Sequence, residues 1–138
     1  MTNRHEILPC GRVVVYIRGG GRERATLIDA ADLPKVAALH GTWYAQRRRW
    51  TWYAAITVYQ AGQRQTIRLH RYLMEPPDGM EVDHVNNDGL DNTRENMRVV
   101  TPEANKGNMR EWGSGGDIGF RWYEQGCEDL TDVPLPFV

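Results

Sequence analysis

Met80-Glu81-Val82-Asp83-His84-Val85-Asn86-Asn87-Asp88-Gly89-Leu90-Asp91-Asn92-Thr93-Arg94-Glu95-Asn96-Met97-Arg98-Val99-Val100-Thr101-Pro102-Glu103-Ala104-Asn105 is the stretch on which the fold turns. Met80 to Asp83 reads as a short strand, and Val85 to Glu95 as a loop dense in Asn, Asp and Gly. Met97 to Val100, β-branched at its end, reads as a second strand. Thr101 is placed to cap a helix whose first position is Pro102, with Glu103 favourable in the first turn, running to about Arg110. The order is strand, long loop, strand, helix.

Chemistry-bearing residues sit at fixed points of that unit. Asp83 and His84 are neighbours at a strand end, where adjacent side chains diverge, so different roles suit them better than a shared one. A carboxylate at Asp83 can hold a hard cation while the His84 imidazole acts on water. Asn105, in the first turn or so of the helix, offers an amide oxygen as a second hard ligand. Asn96 lies nine residues before Asn105, about half a circle away even on one continuous helix, so it reads as a brace for the loop. Asn92 and Asn108 read as turn or cap residues.

Outward toward the amino terminus, Arg12 to Ile17 is a β-branched and aromatic strand ended by Gly19-Gly20-Gly21, and Ala25 to Asp29 is a second strand. Asp32 is a candidate cap for a helix from Leu33 to Leu39, stopped by Gly41. Thr42 to Tyr59 and Gln65 to Leu69, with Ala61-Gly62-Gln63 as a turn, predict a three-stranded antiparallel meander. By period two, Trp50, Trp52, Ala54, Ile56 and Val58 share one face and Thr51, Tyr53, Ala55, Thr57 and Tyr59 the other. Leu69 to Met74 is either a strand end or one or two helical turns, closed by Pro76-Pro77. The fold class is therefore α+β: an antiparallel β meander with a short helix, followed by a ββα unit.

Charge divides the chain. Residues 1–76 hold twelve Lys and Arg against five Asp and Glu, whereas residues 77–138 hold five against thirteen. The basic half suits a polyanion such as nucleic acid and the acidic half a cation; the alternative is a dipolar surface with no partner. Arg47-Arg48-Arg49, projected by a hairpin, either reach a phosphate backbone or form a solvated turn; Arg98, Lys106 and Arg110 pose the same choice beside the ββα unit. Three regions follow: 1–76 as a basic β-rich binding and scaffold region, 77–110 as the ββα unit, and 111–138 as an acidic extension. Cys10 and Cys127 stand far apart with no Cys-x-x-Cys, so free thiols are expected and a zinc ribbon is not. No apolar run is long enough for a membrane span and no secretory signal opens the chain, which predicts a cytoplasmic protein of a bacterial host or phage-infected cell, with no membrane partner.

The 69–108 stretch resembles the HNH endonucleases, in the phage and homing-type branch with a ββα-metal active site. The family's first His matches His84 with Asp83 before it, its middle Asn matches Asn96, and its last position matches Asn105, an HNN variant. Leu69-His70-Arg71 before the Pro-rich turn looks like the lead-in of that branch. The resemblance implies that Asp83 and Asn105 bind one divalent ion, Mg2+ or alternatively Mn2+, that His84 is the general base, and that Asn96 hydrogen-bonds backbone across the loop to keep His84 oriented. It implies a DNA endonuclease that nicks one strand of double-stranded DNA per active site, acting as monomer or homodimer. Arg47, Arg48, Arg49, Arg71, Arg98, Lys106 and Arg110 are the candidate DNA contacts, read from charge and position. His70 either lines the cleft or fills space beneath the meander. Two rivals stand beside this reading. One is a non-catalytic DNA-binding module that keeps the ββα scaffold. The other is a calcium loop in which Gly89 takes the sixth position; it places His84, a poor calcium ligand, first.

Overall fold

The computed structural model describes residues 1–49 and 51–109, the side chains of 106–109 excepted. Its architecture is α+β. The first sheet grows from Arg12–Gly19 (β2), in which Val13, Val14, Val15, Tyr16 and Ile17 are all buried. A run buried on both faces of its pleat needs partners on both edges and cover above and below. β2 has both edge partners: antiparallel His5–Ile7 (β1) on one side and antiparallel Arg22–Asp29 (β3) on the other. Gly20 and Gly21, both at positive φ, make the tight β2–β3 turn.

Leu33–Ala37 (α1) follows a 3-10 turn and buries Val36. Asp32 stands at its N-terminus but makes no side-chain cap. Its carboxylate is taken instead by the guanidinium of Arg94, Nε to Oδ2 and Nη2 to Oδ1, both at 2.9 Å. A bidentate charged pair outcompetes a neutral backbone donor for the same oxygens.

The meander is present as Tyr44–Arg48 (β4), Thr51–Gln60 (β5) and Gln63–Arg68 (β6), with β5 central. Ala54, Ala55 and Ile56 are fully buried, so the middle of β5 is covered on both faces. Leu69–Met74 (α2) resolves the ambiguous segment as a short helix that buries Leu69, His70 and Leu73 and ends at Glu75 in a left-handed conformation.

Glu81–His84 (β7) and Met97–Val100 (β9) pair antiparallel, placing Asp83 opposite Arg98 and His84 opposite Met97. Pro102–Met109 (α3) follows, and the Ala104 amide donates to Thr101 Oγ1 at 3.3 Å. Between the strands, Asp91–Asn92 (β8) pairs in parallel with β3, matching Leu27 to Asp91 and Ile28 to Asn92. The loop between β7 and β9 is thereby built into the N-terminal sheet. One apolar cluster runs from Leu8 through β2, β3 and β5 to Leu69, Val82, Leu90 and Met97, so both ends of the described chain share a core. Cys10, expected as a free thiol, is disulfide-bonded; the only other cysteine, and the acidic 111–138 segment, lie outside the described residues. Among the described residues no helix is long and apolar enough to cross a membrane.

Candidate active site

Asparagine and aspartate side chains wire the β7–β9 loop together. Asn96 Oδ1 accepts from the Asn86 amide at 3.1 Å, and its Nδ2 donates to the Asp91 carbonyl and to Asn86 Oδ1, each at 2.9 Å. Asn86 Oδ1 also accepts from the Asp88 amide, Asp88 Oδ1 accepts from the Leu90 amide, and Asp91 accepts from Thr93 Oγ1 and Asn86 Nδ2. These short polar side chains satisfy backbone groups that a loop packed inside a domain would otherwise leave bare. Their acidity is structural, and Glu95 pairs with Arg12 rather than turning into the loop. That arrangement does not make a calcium loop.

His84 closes β7 and is 5% exposed. Its Nε2 lies 2.9 Å from Asn92 Oδ1. Asn92 Nδ2 donates to Thr26 Oγ1 at 2.8 Å and to the Gly89 carbonyl at 3.3 Å, and Thr26 Oγ1 donates to the Leu90 carbonyl at 2.7 Å. Two carbonyls that can only accept fix the direction of the chain. The Asn92 amide nitrogen faces Thr26, its oxygen faces the imidazole, and Nε2 therefore carries the hydrogen while the lone pair lies on Nδ1. Asn92, read from the sequence as a turn or cap, is thus the residue that holds the His84 ring. Asn96 is one step removed, bracing the backbone beneath it. Spacing alone could not separate the two; the parallel pairing of β8 with Thr26's strand does.

The imidazole does not stand free in solvent. Tyr53 from β5 and His70 from α2 pack on it, with ring centroids 5.8 Å and 5.2 Å away, and Tyr53 and His70 lie 4.8 Å apart. Gly89 makes this closure possible: a β-carbon there would overlap the Trp52 carbonyl and the Tyr53 ring, and its amide donates to Thr51 Oγ1 at 3.0 Å. Burial lowers the His84 pKa below its ordinary value, against the upward pull of Asn92, Asp91 and Asp83. His70, 7% exposed, is pushed well below it, first by burial and then by the charges of His84, Arg68 and Arg71. Both shifts favour the neutral ring. The sealed Nδ1 of His70 has no hydrogen-bond partner. Burial also raises the Tyr53 phenol, with Asp83 acting in the same direction.

Asp83 is buried, and Arg98 reaches its Oδ2 through Nε and Nη2, both at 2.9 Å. Asn105 Nδ2 donates to Glu81 Oε2 at 2.6 Å. Glu81 and Asp83 share a face of β7 by period two, and α3 packs beside that strand. Asp83, with a carboxylate, and Asn105, with an amide oxygen, are the residues that would hold a divalent ion here. Among the described residues no group of three or more His, Cys, Asp or Glu is placed to hold a metal ion. Hard oxygen donors such as these fit a magnesium-type ion and do not fit zinc.

Of the candidate DNA contacts, Arg47, Arg48 and Arg49 are exposed at the β4–β5 turn and Arg71 is exposed on α2. The Arg98 side chain is 53% exposed while tied to Asp83, so it can touch a ligand at the same time. Lys106 and Arg110 have no described side chains. The sequence reading missed Arg24 and the surface role of Trp52. The Arg24 guanidinium lies 3.7 Å from the Trp52 ring centroid and that of Arg47 lies 5.7 Å from it, so two hairpins converge on one indole. No sequence signal joins residues 24 and 52.

An antiparallel strand pair, a side-chain-wired loop and a following helix, with an acid–imidazole pair at the strand end, define a ββα unit. Residues 75–106 match the family model described as HNH endonuclease. Among solved structures, the chain is similar to the one titled "DNA binding and cleavage by the HNH homing endonuclease I-HmuI", with 16% identity and a TM-score of 0.43. That likeness covers 88% of this chain and 66% of that one, so the chain spans a little under two thirds of its length. No curated protein matches the chain.

Proposed function

We propose that this protein is a metal-dependent DNA endonuclease that nicks one strand, with His84 as general base and Asp83 and Asn105 as ligands of one divalent ion. The observation that carries the reading is the imidazole at the end of β7: neutral, oriented through Nε2 by Asn92, adjacent to a buried carboxylate, and inside the family-matched segment. A neutral imidazole with its lone pair on Nδ1 can take a proton from an attacking water, an effect worth about two to four orders of magnitude in rate. Mg2+, or Mn2+ in its place, would supply Lewis-acid stabilisation of the phosphoryl and leaving 3′ oxygens.

Double-stranded DNA is the proposed partner, met by the basic half. Arg47, Arg48, Arg49 and Arg71 face outward, and Arg24 joins them across Trp52. Region 1–76 would grip phosphate while region 77–110 performs the cut. Burial of His84 is the observation that favours the rival, a DNA-binding module without cleavage. Supercoiled plasmid in Mg2+ separates the two. Nicking by the wild-type chain, lost in His84→Ala while DNA binding persists, is the expected result; binding without nicking by the wild-type chain assigns the rival.

A further inference from the structure

We propose that Glu81 is a positioning residue for Asn105: it takes the amide nitrogen and so leaves the amide oxygen as the atom available to a divalent cation. The inference rests on the metal-dependent reading above. An asparagine amide presents oxygen or nitrogen depending on a half-turn of its last torsion, and only the oxygen is a ligand for a hard cation. A carboxylate is acceptor-only, so at 2.6 Å from Glu81 Oε2 the atom facing it must be the N–H2 group. The reversed amide would set oxygen against carboxylate oxygen. The short contact is a charge-assisted hydrogen bond, stronger than a neutral one. Glu81 is itself held on β7, paired with Val100 of β9, two residues before Asp83 on the same face. One strand thus carries both a candidate ligand and the group that orients the other.

The test is Mn2+ titrated into the full chain, with free ion followed by electron paramagnetic resonance and folding checked by thermal unfolding. Loss of an orienting partner of a metal ligand weakens affinity by about 10–100-fold. Glu81→Ala should show a loss of that order, and Glu81→Gln, whose amide oxygen still accepts from Asn105, should stay near wild type. Asn105→Asp offers an oxygen in either rotation, so Glu81→Ala should cost little affinity in that background. Equal Mn2+ affinity in wild type and Glu81→Ala would overturn the proposal. So would an equal loss from Glu81→Ala in both backgrounds, which would mean that Glu81 acts through its charge alone. A wild-type chain that binds no Mn2+ would remove the metal reading and this proposal together.

Discussion

Asn92 shows how one side chain sets the chemical state of another. Its amide is locked by Thr26 and the Gly89 carbonyl, and the lock dictates which imidazole nitrogen of His84 carries the proton. Asn92→Ala should lower nicking by about two orders of magnitude, the lower end of what a positioned base contributes, with DNA affinity kept. Asn92→Asp should act differently. A carboxylate beside Nε2 favours the imidazolium, so the acid limb of the pH–rate profile should move to higher pH. The same burial affects stability. His70 and His84 both have pKa values depressed from the ordinary 6.5. Unfolded histidines take up protons as the pH falls through that value and the folded rings do not, so the unfolded state binds more protons there. Stability should be fully present above about pH 6.5 and fall below it, by up to about 1.4 kcal/mol per pH unit for each ring. Urea midpoints measured between neutral and mildly acidic pH should show this, and His70→Phe should flatten the slope. Little of this was legible in the sequence: Asp83 and His84 announce themselves by adjacency, whereas the role of Asn92 needs Thr26, 66 residues away.

At the scale of elements, the local patterns translated well. The β-branched runs became β2 and β5, Thr101-Pro102 opened α3, and Arg12 to Asp29 folded as a hairpin at its glycines. What failed were features decided by tertiary partners. His5–Ile7 is too short and polar to read as a strand and exists because β2 offers it an edge. Asp32 is drawn from its cap by Arg94. β8 is two residues long and has no period to detect. The packing of greatest consequence is likewise non-local: the β7–β9 loop rests on β5 through Gly89. Gly89→Ala places a methyl group against backbone, which cannot rotate away, and overpacking of this kind costs about 1–3 kcal/mol. A lowered unfolding temperature together with reduced nicking is expected, because the same shift moves Tyr53 off His84. Wild-type stability in that variant would show that the loop can lift from the hairpin freely.

Across the whole molecule, charge asymmetry was the most readable property and its meaning was half structural. The acidic residues of the β7–β9 loop hold backbone, and Glu95 and Asp32 hold arginines. The basic half retains an outward ridge where the β2–β3 and β4–β5 hairpins meet. Glu23 belongs to the opposite face of β3, paired with Arg4 at 3.0 Å, so it does not neutralise that ridge. Arg24→Ala and Arg47→Ala should each weaken duplex binding and reduce the slope of log affinity against log salt by roughly 0.9 for every phosphate no longer neutralised. Fluorescence anisotropy across a salt series measures it, and an unchanged slope in both variants would place the DNA elsewhere.

The central claim is that the His84 imidazole removes the proton from the attacking water, and chemical rescue tests it most directly. Single-turnover nicking of supercoiled plasmid in Mg2+ should be lost in His84→Ala and partly restored by free imidazole, which fits the space left in a buried site. Nicking by His84→Ala at the wild-type rate without imidazole would contradict the claim.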